Sequence, residues 1–126
     1  AALTKVHRAH EAGEPTVTIW GDGTARREFT WAVDLAGWIV GQVGVLAAWP
    51  DRLNLGCGFD HSIDEYYHVA AEVVGYTGTF VHDLDKPGGV PRRLIDSSAA
   101  RDLGWDPPTP LRDGMAQAYA HLLQSL

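Results

Sequence analysis

One cysteine, Cys57, and one methionine stand among 126 residues. A single cysteine excludes an internal disulfide and a cysteine zinc cluster. It suits a reducing compartment, and a cytoplasmic location is the expectation. There is no signal peptide, and no apolar run is long enough to span a membrane. The longest apolar segment, 38–49, is broken by Gly41, Gln42 and Gly44. The six histidines show no metal spacing: His7 and His10 lie three apart with no third ligand in view. No tyrosine at 66, 67, 76 or 119 is followed four residues on by lysine, so no Tyr-x-x-x-Lys pair exists. Cys57 has no readable base beside it to activate the thiol, and a buried small residue is its expected role. The chain also lacks repeats and low-complexity tracts.

What is present describes a folded domain. The apolar fraction of 45% and charged fraction of 21% argue against disorder. The length suits one domain, 1–126, around one core. A net charge of −6 argues against a nucleic-acid partner, which would recruit a basic face. It leaves room for a local basic pocket around one phosphorylated ligand. Residues 1–12 read as a helix with no capping signal ahead of it, as expected of a piece of a longer chain, and Gly13 ends it. Thr16 to Trp20 reads as a strand, and Phe29 to Trp31 as a short one. Asp34 opens a helix that Pro50 stops. Leu53 to Leu55 reads as a strand. Ser62 and Glu65 form a capping box for a helix ending at Gly75. Thr79 to His82 is a strand, 97–103 a short helix, and Thr109-Pro110 the N-cap and first turn of the last helix. The expected class is α+β, with about four short strands and about five helices.

Three segments have the residue types for ligand chemistry. Leu53-Asn54-Leu55-Gly56-Cys57-Gly58 leads from a strand through Gly-x-Gly to a helix, like a dinucleotide fingerprint. The third small residue of that fingerprint is replaced by the large His61, so a tight strand-to-helix turn is the preferred reading. Trp20, then Gly21 to Arg27, places an aromatic ring ahead of two arginines. A ring can stack on a base, and a guanidinium can bind phosphate with two parallel bonds. The same spacing also suits a hairpin turn with solvated arginines. Lys86-Pro87-Gly88-Gly89-Val90-Pro91-Arg92-Arg93 is a second cationic loop, and two such loops in an acidic chain suggest a shared anionic ligand.

The order of these pieces resembles a known family. Trp20-Gly21-Asp22-Gly23-Thr24, Arg27-Glu28-Phe29, Asp34-Leu35-Ala36, Leu53-Asn54-Leu55-Gly56, Lys86 to Asp96 and Leu103-Gly104-Trp105 follow one another as in the C-terminal part of the GDP-L-fucose synthases. These are extended short-chain dehydrogenase/reductases. The resemblance covers nearly the whole chain. It implies the small C-terminal substrate-binding domain, with the Rossmann half absent. In the full-length family enzyme that half binds NADP(H) and carries the glycine fingerprint and the catalytic Ser, Tyr, Lys and Cys, with the acid/base histidine falling just before Ala1. For this chain the resemblance implies no catalytic residue, no cofactor-binding residue and no metal. It assigns Arg8, Trp20 and Arg27 as substrate-binding residues, with Arg92 assisting. Gly88 stands where the family usually has Asp, and Trp31-Ala32-Val33-Asp34 where it reads His-Val-Asp-Asp.

The expected function is therefore binding of a GDP-sugar or related nucleotide-sugar for an epimerase/reductase, with no catalysis by this chain alone. A Rossmann-domain half is the implied partner, and exposed apolar surface is expected to make the bare domain self-associate. Two alternatives stay open: a non-catalytic binding or regulatory module derived from the family, and the substrate domain of another nucleotide-sugar epimerase or dehydratase.

Overall fold

The structure is a computed structural model that describes residues 2–125. Ala1, where the first helix was expected to begin, lies outside the described residues. The first helix, α1, runs Ala2–Ala12. It ends because Gly13 takes a left-handed turn (φ 64°), which glycine adopts without a steric penalty. The Glu14 N–H then returns to the Ala9 carbonyl at 2.9 Å. Strand β1, Thr16–Trp20, follows with Val17 and Ile19 buried. It pairs in parallel with β4, Thr79–Asp83, in the register Thr16 to Thr79 through Trp20 to Asp83.

Helix α3, Ile63–Val74, is set by the expected capping box. The Glu65 N–H donates to Ser62 Oγ at 3.0 Å, and the Ser62 N–H donates to Glu65 Oε2 at 2.8 Å. The last helix, α5, spans Leu111–Gln124. Helices α1 and α3 pack together, as do α3 and α5. Val6, Ala9, Val17, Ala70, Val74, Tyr76 and Met115 form the core between them. Ala70 is fully buried where α3 meets its neighbours, so only a small side chain lets the helices approach.

A second, smaller sheet has the order β3-β2-β5. Its strands are β2 (Arg26–Arg27), β3 (His61–Ser62) and β5 (Arg92–Arg93). Arg26 lies opposite Ser62 and Arg92, and Arg27 opposite His61 and Arg93. The short strand expected at 29–31 is thus displaced to 26–27, and the basic loop ends in a strand. The α+β class and five α-helices stand, the fourth being α4, Ser98–Asp102.

Three local expectations fail for identifiable reasons. Helix α2 covers only Ala32–Gly41, after which the chain tightens into a 3-10 turn over Val43–Ala48. Glycines at 37, 41 and 44 weaken the continuous helix that the apolar spacing suggested. Residues 53–55 form no strand and pair with none among the described residues, because strand composition alone does not make a sheet without a neighbour. Thr109 does not cap α5. Its N–H and hydroxyl both donate to the Asp34 carboxylate, at 3.1 and 2.9 Å, and Pro110 occupies the N-cap position.

The α2 region is poorly covered. Neither α2 nor the 3-10 turn buries a residue, and Val33, Val40, Val43 and Val45 are more than half exposed. Trp38 stacks on Trp49 at 5.2 Å and meets the edge of Trp105 at 5.6 Å. Trp105 is buried and donates its indole N–H to the Gly56 carbonyl at 2.7 Å. The buried indole N–H groups of Trp38 and Trp49 find no acceptor among the described residues. No helix of the described residues is long and apolar enough to cross a membrane.

Replacing Ser62 with Ala removes one half of the capping box at α3. The expected loss is about 1 kcal/mol of unfolding free energy, readable as a lower urea midpoint with an unchanged slope. An unchanged midpoint would mean that the box contributes nothing to this helix.

Candidate functional site

The surface that gathers the sequence-predicted residues begins at the end of β1. Trp20 is 61% exposed there. Gly21 turns the chain with φ 73°, and its N–H donates to the Asp83 carbonyl at 2.9 Å. A Cβ on Gly21 would lie 2.7 Å from the Gly88 Cα. The glycines at 21 and 88 therefore bring the first turn and the second basic loop into backbone contact, which no larger residue at 21 permits. A groove of about 560 Å³ opens beside them. Its lining includes Ala2 and Lys5 of α1, Trp20, Phe29, Tyr66 and Tyr67 of α3, and Gly88. The Lys5 ammonium donates to the Thr18 carbonyl at the groove wall.

Arg27 lies on the far side of the same loop. A Cβ on Gly89 would approach its Nη2 to 3.2 Å, and its Nη1 donates to the Arg26 carbonyl at 2.7 Å. The loop thus joins the two: Gly88 lines the Trp20 groove and Gly89 rests on the Arg27 guanidinium. Arg8 is exposed on α1, one turn beyond Lys5 and on the same stripe of that helix.

Arg92 has a different environment. Its Nε donates to Asp60 Oδ2 at 2.5 Å, while Arg26 Nε donates to Oδ1 at 2.6 Å and Arg26 Nη2 to the Asp60 carbonyl at 2.7 Å. The Asp60 side chain is only 4% exposed. The two guanidinium groups hold its carboxyl below the usual carboxylate range, the Arg92 hydrogen bond first and the Arg26 one second, against the opposing effect of burial. Strand alternation places Arg26 and Arg92 on this face of the small sheet and Arg27 and Arg93 on the other. Neither Arg27 nor Arg93 has an acidic partner within 4 Å among the described residues. Asp60 was not legible as their organiser. Its only sequence signal is a lone acid two residues ahead of the capping serine.

Two backbone N–H groups of the Gly56–Gly58 turn are engaged within the chain. The Gly58 N–H donates to Glu28 Oε1 at 2.7 Å and the Cys57 N–H to Thr30 Oγ1 at 3.2 Å. The Cys57 carbonyl accepts from Arg101 Nη2 at 2.7 Å. Backbone N–H groups that would cradle a diphosphate in a dinucleotide turn are already occupied here. Cys57 itself is buried. Among the described residues, no group of three His, Cys, Asp or Glu side chains could hold a metal ion.

No family model matches the chain. It is 42% identical to the GDP-L-colitose synthase of Yersinia pseudotuberculosis over 98% of its own length and 40% of that protein. It is 41% identical to a GDP-L-fucose synthase of Azorhizobium caulinodans, again over 98% of the chain and 39% of the relative. Nearly the whole of this chain is thus similar to a part of these two synthases. The fold agrees: a GDP-6-OMe-4-keto-L-xylo-heptose reductase from C. jejuni superposes with TM-score 0.84 at 25% identity, over 99% of this chain and 47% of that one. The names of these three proteins are those of two GDP-sugar synthases and a GDP-sugar reductase. The chain spans about two fifths of the length of the curated relatives it matches.

The Asp60 cluster has a definite pH signature. Its carboxyl titrates below the ordinary value of 3.8, so the folded state holds that proton less tightly than the unfolded chain. The resulting stabilisation is complete above about pH 4 and is lost as pH falls through the depressed value. Asp60→Asn should therefore flatten the acid limb of the stability curve measured by urea unfolding between pH 5 and about pH 2. An acid limb identical to wild type would show that the cluster is not what acid breaks.

Proposed function

We propose that this chain is the sugar-nucleotide-binding part of an NADP-dependent epimerase/reductase acting on a GDP-sugar. The observation that carries the reading is the Trp20 groove and the Arg27 guanidinium meeting at one glycine loop, in a chain whose relatives handle GDP-sugars. Trp20 stacks on the base, and Arg27 takes the diphosphate with paired N–H donors. Arg8 adds positive charge from α1. The Nε of Arg92 is already engaged by Asp60, which leaves it the supporting part, while the outward-facing Arg93 is better placed to share phosphate charge with Arg27. The whole enzyme would epimerise C3 and C5 by proton transfer and then reduce C4 with a hydride from NADPH. The share of this chain is to hold the substrate in register with those groups, and it supplies no acid, base or hydride itself.

The remaining three fifths of such an enzyme would be the NADP-binding Rossmann half. It would cover α2 and pair with residues 53–55. The exposed valines on α2, the unpaired segment and the two indole N–H groups without acceptors support that placement. Until it is covered, this face would drive self-association.

Gly88 favours a second reading, a related nucleotide-sugar as ligand. A Cβ there would meet only the Gly21 Cα, at 3.9 Å, so space does not explain the missing aspartate. In a module that has drifted from enzymatic service, the same groove would serve a regulatory nucleotide.

Two measurements test the proposal. GDP titrated into wild type, Arg27→Ala, Arg27→Lys and Trp20→Ala should bind wild type, lose roughly tenfold or more with Arg27→Ala, and recover only in part with lysine, because a charge-assisted bond to phosphate is worth about 1.5–3 kcal/mol. Equal affinity in all four proteins would place the ligand elsewhere. Light scattering of the bare chain across concentration should show association that Val40→Asp with Val45→Asp suppresses; a strictly monomeric wild type that binds no hydrophobic dye would remove the argument for a covered face.

A further inference from the structure

The Trp20 groove contains two phenols that the proposed binding mode leaves without a task. Tyr66 and Tyr67 are consecutive on α3, and both line the groove. Tyr66 is fixed by a stacked contact with Phe29, ring centres 4.0 Å apart and planes 13° apart. Tyr67 is fixed by an edge contact with Phe80 at 5.6 Å. Both rings are half-buried, and burial pushes both phenols above their ordinary titration range. They therefore stay protonated at neutral pH and can each donate one hydrogen bond and accept others. Neither hydroxyl is hydrogen-bonded to protein among the described residues, and neither is sealed from solvent. The contrast with the other two tyrosines is informative: the Tyr76 hydroxyl donates to the Glu14 carbonyl at 3.1 Å, and the Tyr119 hydroxyl meets His7 Nδ1 at 3.1 Å. At 66 and 67, by contrast, the hydroxyls face the groove with no protein partner among the described residues and are available to a ligand.

We infer that the Tyr66 and Tyr67 hydroxyls are the specificity contacts of the groove, reading the hydrogen-bonding edge of the purine base whose face stacks on Trp20. This rests on the GDP-sugar reading above and adds to it the residues that select the base. The layout supplies the rationale. Arg27 lies beyond Gly89 and takes the diphosphate, so the groove on the Gly88 side receives one organic end of the ligand. Four aromatic rings line that side, which suits a flat heterocycle better than a sugar. The edges of guanine present both acceptors (O6, N7) and donors (N1–H, the N2 amino group), and a phenol can serve either. Uracil, being smaller, does not reach as far from the shared ribose-diphosphate anchor.

The experiment titrates GDP and UDP separately into wild type, Tyr66→Phe, Tyr67→Phe, the double variant and Arg27→Ala, with calorimetry as the readout and thermal unfolding as the check on folding. Phenylalanine keeps each ring and its packing and removes only the hydroxyl. The expected result is a roughly threefold to tenfold loss of GDP affinity per hydroxyl, with UDP affinity within about twofold of wild type, so that the preference for GDP shrinks by the same factor. Unchanged GDP affinity in the double variant overturns the inference while leaving the Arg27 result to stand by itself. Equal losses for GDP and UDP also overturn it, because the tyrosines would then act on the shape of the groove alone. A wild type that binds no GDP, or an Arg27→Ala variant that binds it as well as wild type, overturns the underlying reading and this inference with it.

Discussion

One buried carboxylate organises the basic side of this domain. Two arginines in register on neighbouring strands repel, and cross-strand like charges destabilise a sheet. Asp60 removes the problem for Arg26 and Arg92 by accepting from both, one oxygen each. Its two ion pairs thereby tie β2 to β5 at the side-chain level. Because side chains alternate along a strand, clamping 26 and 92 inward fixes 27 and 93 outward. The result is a charged row with no counter-ion among the described residues, in a chain whose overall charge is negative. Charge balance inside the fold and charge exposure at the site are thus two faces of a single three-strand ribbon.

The domain is unevenly finished. Between α1, β1 and α3 the core is well buried, with Val6, Ile19 and Ala70 almost without exposed surface. Around α2 the apolar side chains are only partly covered, and Val33 and Val40 stay more than half exposed. Glu28 stands at the boundary: its carboxylate accepts from the Gly58 N–H at 2.7 Å and the Ile95 N–H at 3.3 Å, and its chain neighbours are Arg27 and Phe29. The residue that ties down the less covered loops is therefore fixed in sequence between two residues of the candidate site.

Local signals in the sequence were reliable where the chain satisfies itself. The Ser62 and Glu65 box, the stop at Gly75 and the parallel strands at 16 and 79 all form as their residue types dictate. They were unreliable where the partner is remote or missing. Leu53 to Leu55 has strand composition but no neighbour. Thr109 has the chemistry of a helix cap, yet Asp34, distant in sequence, engages both of its donors. At the site, the expectation that the Trp20 turn and the basic loop share one anionic ligand came from their charge and from the family resemblance. The separate environments of Arg92 and Arg93 were not foreseeable, because adjacent identical residues become distinguishable only once a strand gives them opposite faces.

The parallel pairing of β1 with β4 has a consequence for the order in which the molecule assembles. Parallel neighbours cannot be joined by a tight turn, and here the intervening chain contains α2, two strands of the other sheet and α3. Closing so long a loop is entropically unfavourable until α3 has docked, and contacts of this kind form slowly. Trp20 ends one of these strands and Gly88 follows the other, so the groove between them has no local precursor. Helices α1 and α3 can form early on their own signals, but the binding surface can exist only after this long-range strand pairing has closed.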